Sequence, residues 1–177
     1  CRLIDRPIRP MFPDSYSKNP EVADTSVAAM VLSVDQENDP DILAGIATSA
    51  AVAVSDIPFL GPLGTVRIGL IDDEVIVFPT HEQLKESKLD LVVAGTMAAV
   101  TMVECGAKEV SEEKMIEAIA KAHEVICEIV ELQNELVAQG GKPKMELEDL
   151  PDHSEQTAEL KSKYFDGFRE KPLTDGK

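Results

Sequence analysis

The sequence predicts an α+β fold in which helices pack on a mixed sheet, in two layers. Three observations carry that expectation. Apolar runs of strand length recur, from VAAMVLSV at residues 27–34 to LDLVVAG and AAVTMVECG beyond residue 88. The stretch TVRIGLIDDEVIVFP alternates on both sides of Asp72-Asp73, the pattern of a hairpin. Beyond it, Met115, Ile119, Ala122, Ile126 and Ile129 recur at helical spacing.

In chain order, Pro7, Pro10 and Pro13 punctuate the opening CRLIDRPIRPMFP, so a helix there is kinked or stopped. Residues 27–34 read as an inner strand covered on both faces. Asp39-Pro40 is a helix start, because Asp can cap free amides and Pro is tolerated at the first helical position. That helix runs to about Ser55; its body, ILAGIATSAAVAV, is small or apolar on every side, which predicts a buried central element. After the IPFLGPLG loop comes the hairpin, then a short polar helix or loop over Thr80–Lys88, then two strands forming a second antiparallel pair. Ser111 caps a long helix carrying Glu112 and Glu113 in its first turn, and Gly140-Gly141 stops it. From Gly141 the composition turns polar and charged, which predicts a domain over residues 1–140 and a second one starting at 141–177. No internal repeat is present.

Composition sets the partners. Of 177 residues 44% are hydrophobic, ample for a core. Thirty-three acidic against seventeen basic residues leave a net charge of −16, so the whole surface repels nucleic acid and anionic membrane. A polyanion must be gripped by a local basic patch. No apolar run reaches the roughly 18 residues of a membrane helix and no leader opens the chain, so the expectation is a cytoplasmic protein without membrane contact. Cys1, Cys105 and Cys127 fit neither a disulfide framework nor a metal spacing and read as reduced thiols. Five Phe, two Tyr and no Trp argue against base stacking as the main binding device. The chain begins with Cys1 rather than Met, and the expectation is a fragment.

Arg2, Arg6 and Arg9 stand at i, i+4 and i+7, one face of a helix, offset nearby only by Asp5. Guanidinium forks suit bidentate phosphate binding, which makes them the candidate RNA or phosphate contact. The alternative is pairing with a carboxylate such as Asp5 or bonding to helix carbonyls. Asp35, Glu37, Asp39 and Asp41, and separately Asp72, Asp73 and Glu74, supply hard oxygens, but without calcium-loop order they read as turn and cap chemistry. His81, His123 and His153 have no ligand spacing; Ser49 lacks a nucleophile elbow and reads as packing; GPLG lacks the Lys-Ser/Thr of a phosphate loop. From these residues the function stays open between a phosphate or RNA contact module and an oligomerising scaffold.

RLIDRPIRPMFP, then LSVDQENDPDILAGIATSAAVAVSDIPFLGPLGTVRIGLID, then ESKLDLVVAGTMAAVTMVECGAKEVSEEKM resemble, in the same order, the first ribonuclease PH-like core of the bacterial polynucleotide phosphorylases. The tail from GKPKMELED resembles the entry to that family's all-helical linker. The resemblance implies a ribonuclease PH-like fold incomplete at its N-terminus, in a parent that degrades RNA 3′-to-5′ by phosphorolysis and releases nucleoside diphosphates. It further implies inorganic phosphate as co-substrate, Mg²⁺ in a second core, a homotrimeric ring, and RNA and other RNA-degradation proteins as partners. Where the active core carries phosphate-binding serines, this chain reads Asn38-Asp39-Pro40-Asp41. Where it carries Asp-x-Lys, this chain has Asp90 and Val92, with Glu86-Ser87-Lys88 in place of the upstream acid. Asp90 is thus expected to be a relic or a turn residue, no catalytic residue is expected, and Arg2, Arg6 and Arg9 match the family's RxxxRPxRP stretch that lines the RNA path. The alternative is a stand-alone oligomerising or RNA-contact module with no enzymatic role.

Overall fold

The computed structural model describes residues 2–19, 24–148 and 153–170, with side chains to residue 167. The chain forms two compact units, Cys1–Leu147 and Glu148–Lys177. The polar composition that suggested a boundary at Gly141 does not detach residues 141–147. Lys142 N donates to Val54 O at 2.9 Å, Met145 N to Asp56 O at 2.8 Å, and Lys144 Nζ to the carbonyls of Val52, Ala53 and Ser55. These bonds satisfy carbonyls in the last turn of the helix over residues 40–54 and in the two residues that follow it.

The prolines act as expected. Helix α1 (Arg2–Ile8) passes into a 3-10 turn at Arg9–Met11, and α2 (Asp14–Ser17) starts after Pro13. Helix α3 (Pro40–Val54) opens on Pro40 and ends at Ser55. Strands β1 (Gly64–Ile71) and β2 (Glu74–Val77) form the hairpin, and Asp72 and Asp73 both take positive φ, as a two-residue primed turn requires. Helix α4 (His81–Glu86) begins with a capping box between Thr80 and Gln83. Strands β3 (Leu89–Gly95) and β4 (Val100–Ala107) follow, then α5 (Glu112–Gly140), whose Ser111 accepts from Lys114 N. In the second unit α6 spans Ser154–Glu170.

The sheet order is β2-β1-β3-β4, and every described pair is antiparallel, where a mixed sheet was expected. Strand alternation sends Val66, Ile68 and Leu70 of β1 and Leu89, Leu91 and Val93 of β3 against Ala118, Ala122, Ile126 and Val130 of α5. The helix stripe is therefore centred one position off the sequence expectation, with Met115, Ile119 and Ile129 on its flanks. Small residues bring α5 close: a Cβ on Gly64 would stand 3.0 Å from Ile126 O. The opposite face of the sheet carries a smaller cluster of Ile42, Val92, Ala94 and Met102, joined by Leu3 of α1 and Ile46 of α3.

Two expectations fail. Residues 27–34 belong to no helix or strand, and Met30 and Leu32 are 80% and 88% exposed. An apolar run can form a strand only beside a hydrogen-bonding neighbour, and none of the described strands pairs with it. Helix α3 is not buried all round either. It hides Ile42, Gly45, Thr48, Ser49, Val52 and Ala53, whereas Leu43 is largely exposed, because packing engages one face only.

Candidate nucleic-acid interface and an arginine-filled acidic cluster

Leu3, Pro7 and Ile8 anchor α1, which turns Arg2 and Arg6 to the surface, and Arg9, at the start of the 3-10 turn, is exposed beside them. Arg6 Nη1 lies 3.4 Å from Glu104 Oε2 of β4. Arg9 grips Asp5 with Nε at 3.0 Å and Nη2 at 2.8 Å, the pairing foreseen as the alternative to phosphate binding. Arg2 makes no ion pair among the described residues. Arg6 and Arg9 side chains are 53% and 76% exposed, so each pair is worth only ~0–1 kcal/mol and yields readily to a stronger anion. The sequence spacing thus leads to a surface cation patch, with two of three members lightly held.

The better-built cluster is one the sequence reading missed. Alternation along β1 points Arg67 away from the α5 core, on the face shared with Val92, its register partner on β3. Its side chain is only 12% exposed. Nη1 donates to Asp39 Oδ2 and Nη2 to Asp41 Oδ2 at 3.1 Å, while Nε stands 3.2 Å from Asp90 Oδ1, an ion-pair distance without hydrogen-bond alignment. His81 Nε2 is 3.7 Å from Asp39 Oδ1, and its backbone N–H donates to Glu37 O at 2.9 Å. The signal was available: Arg67 is the single charge in an otherwise uncharged strand, GTVRIGLI, downstream of an acidic run.

The acidic residues therefore divide their work. Asp35 makes the turn, accepting from Glu37 N and Asn38 N at 2.9 Å and from Asn38 Nδ2 at 2.7 Å; these bonds, those from Asn38 first, hold its carboxyl below the ordinary value. Asp41 bonds the Ile42 amide at 2.7 Å. Asp39 occupies the N-cap position, yet its side chain makes no cap bond, because Arg67 takes it. Asp90 is no turn residue: it lies within β3. Three carboxylates around one guanidinium leave an excess of negative charge, which disfavours phosphate. The same donors do not fit a divalent cation, since a fixed positive group already stands among them. Among the described residues no group of three or more His, Cys, Asp or Glu is placed to hold a metal.

The remaining candidates have structural partners. Ser49 Oγ accepts from Leu63 N at 2.8 Å in the interior, a packing role. His123 Nε2 is 3.1 Å from Thr96 O. The Cys105 thiol is pushed up by burial and by the nearby Asp90. No helix of the described residues is long and apolar enough to cross a membrane.

Residues 61–125, from the loop before β1 into α5, match the model of the 3′ exoribonuclease family, domain 2. The fold is similar to the crystal structure of rice (Oryza sativa) Rrp46, with a TM-score of 0.52 at 17% identity, over 59% of this chain and 49% of that one. The antiparallel sheet backed by a long helix is that of a ribonuclease PH-like domain. Polyribonucleotide nucleotidyltransferase of Thermomicrobium roseum is 48% identical over 170 residues, covering 96% of this chain and 21% of the relative. That of Caldicellulosiruptor bescii is 52% identical over 146 residues, covering 82% and 20%. The chain belongs to the polyribonucleotide nucleotidyltransferase family, and it spans about a fifth of the length of these relatives.

Proposed function

We propose that this chain is the first, non-catalytic core of a polyribonucleotide nucleotidyltransferase, the half that builds the ring and guides RNA. The parent shortens RNA from its 3′ end, with inorganic phosphate attacking the terminal linkage and nucleoside diphosphates leaving. In-line displacement of that type needs cationic groups and a phosphate pocket. On this reading those groups and the Mg²⁺ belong to a second core, the parent is a cytoplasmic homotrimer meeting other RNA-degradation proteins, and residues 141–177 lead into a helical linker.

One observation carries the proposal: Arg67 is locked by Asp39, Asp41 and Asp90 at the positions that, by the resemblance, hold serines and Asp-x-Lys in the active core. The anion seat is already filled by acidic side chains, and its cation is already paired. Arg2, Arg6 and Arg9 supply the RNA contact, and because bound phosphates release counterions, their contribution falls as salt rises.

The test has two arms. The purified 177-residue chain, incubated with oligo(A), magnesium and phosphate, is expected to release no ADP above blank; release would overturn the non-catalytic assignment. In the full-length parent, changing Arg2, Arg6 and Arg9 together to Glu is expected to weaken RNA binding and flatten its salt dependence with the oligomer intact. Unchanged RNA affinity would remove the arginines from the RNA path.

A further inference from the structure

Arg6 and Arg9 are held in different ways. Arg9 binds Asp5, four residues back, through three bonds between 2.8 and 3.0 Å. Arg6 reaches across the fold to Glu104 of β4, 98 residues away in sequence, through Nη1 alone at 3.4 Å. Contacts between a guanidinium and a carboxylate usually close to about 2.7–2.9 Å, so this one is loose. Both side chains are more than half exposed, and neither has another ion-pair partner among the described residues. Glu104 is there because of the sheet: β4 is an edge strand, and Glu104 is the register partner of Val92, on the face where Leu3 of α1 packs against Val92 and Met102. Leu3 and the buried Pro7 and Ile8 already fix α1 to the rest of the unit. A loose, exposed pair adds little to that anchorage. What the pair does control is the state of the Arg6 fork.

We propose that Glu104 is an internal occupant of the Arg6 phosphate seat, displaced by a backbone phosphate when RNA binds, so that it tunes how strongly the patch holds RNA. The inference rests on the reading of Arg2, Arg6 and Arg9 as RNA contacts and names the group that regulates one of them. A guanidinium takes a phosphate through two parallel N–H bonds, whereas Glu104 supplies a single long one, which is why the exchange goes forward. Arg2, one turn earlier, makes no ion pair among the described residues and takes the neighbouring phosphate. The next phosphate on the same strand then reaches Arg6 at high effective concentration. A device of this kind lowers affinity in exchange for selectivity, since an anion that gains only one weak contact does not dislodge the carboxylate.

The experiment is a double-mutant cycle in the full-length parent, read as the affinity for 5′-labelled oligo(A) by fluorescence anisotropy, without phosphate or magnesium so that no turnover occurs. Glu104→Gln is expected to tighten binding about two- to fivefold, the size an exposed ion pair allows. The gain should shrink at high salt, where the pair is already screened. In an Arg6→Gln background most of the gain should vanish, because no seat is left to vacate; a gain from simply removing negative charge would persist there. Glu104→Asp keeps the charge and shortens the reach, and is expected to lie between wild type and Glu104→Gln. If Arg6→Gln weakens binding but Glu104→Gln, folded by circular dichroism, changes nothing or helps equally in both backgrounds, the proposal is overturned and the RNA role of Arg6 stands. If Arg6→Gln leaves the affinity unchanged, both fall together.

Discussion

Replacing Arg67 by Met keeps most of the aliphatic stem and removes the guanidinium, which leaves Asp39, Asp41 and Asp90 facing one another. A full charge pair at 4 Å is worth ~4 kcal/mol at an effective dielectric of about 20, but desolvating the guanidinium offsets much of that. The carboxylates are 38%, 33% and 53% exposed, so water reaches them and each contact falls near the upper end of the surface range, about 1 kcal/mol. Three such contacts predict a loss of about 2–3 kcal/mol, or about 5–10 °C in Tm for a unit of this size. Urea denaturation of the 177-residue chain, with the m-value unchanged, measures it. A cycle with Asp39→Asn and Asp41→Asn should show coupling, the neutral pair recovering part of the loss in the Arg67→Met background. An Arg67→Met protein as stable as wild type, with no coupling, would refute the view that this cluster ties α3 to the sheet.

Two further outcomes follow from local geometry. Gly64→Ala drives a methyl against the α5 backbone at Ile126 and should cost about 1–3 kcal/mol, whereas Gly106→Ala, with nothing within 4 Å of the new carbon, should stay within about 0.5 kcal/mol; equal effects in thermal melts would contradict the close approach. The Asp35 turn depends on pH. Its folded-state carboxyl is depressed, so its stabilising contribution is present above the unfolded value and is lost as pH falls through the lower folded one. Amide resonances of Glu37 and Asn38 should therefore titrate with a midpoint below 3.8, and a midpoint at or above that value would show that the turn bonds are absent in solution.

What the sequence revealed was whatever local chemistry decides. The Asp72-Asp73 turn, the Ser111 cap and the Pro40 start are each fixed by one or two residues, and each appears where it was read. What it hid depends on distant neighbours. The apolar run at 27–34 announced a capacity for strand pairing, and capacity alone cannot supply a ladder partner. The apolar body of α3 suggested burial on all sides, yet how many faces are covered is set by the elements around it. Arg67 was overlooked because its partners are 28, 26 and 23 positions away in sequence, a separation at which spacing rules say nothing. The arginines at 2, 6 and 9 were legible as a patch, and so was pairing with Asp5 four residues from Arg9, while the Glu104 contact of Arg6 emerged only from the fold.

A binding site can be silenced by losing its ligands or by acquiring an internal occupant. If this core is non-catalytic, as proposed, the register of β1 and β3 favours the second route. Val92 stands where the resemblance places the active core's Lys, and its direct partner across the ladder is Arg67. On the proposed reading, positive charge has not left this face of the sheet; it has moved one strand over, and Asp39 and Asp41 have entered to neutralise it. Restoring a Lys at position 92 would then bring a second cation to carboxylates already engaged, on a site whose surroundings bury Val92 to 4% exposure. On that reading the loop before α3 has to change along with β3, because Asp39 and Asp41 both fill the anion seat and pair its cation, Arg67.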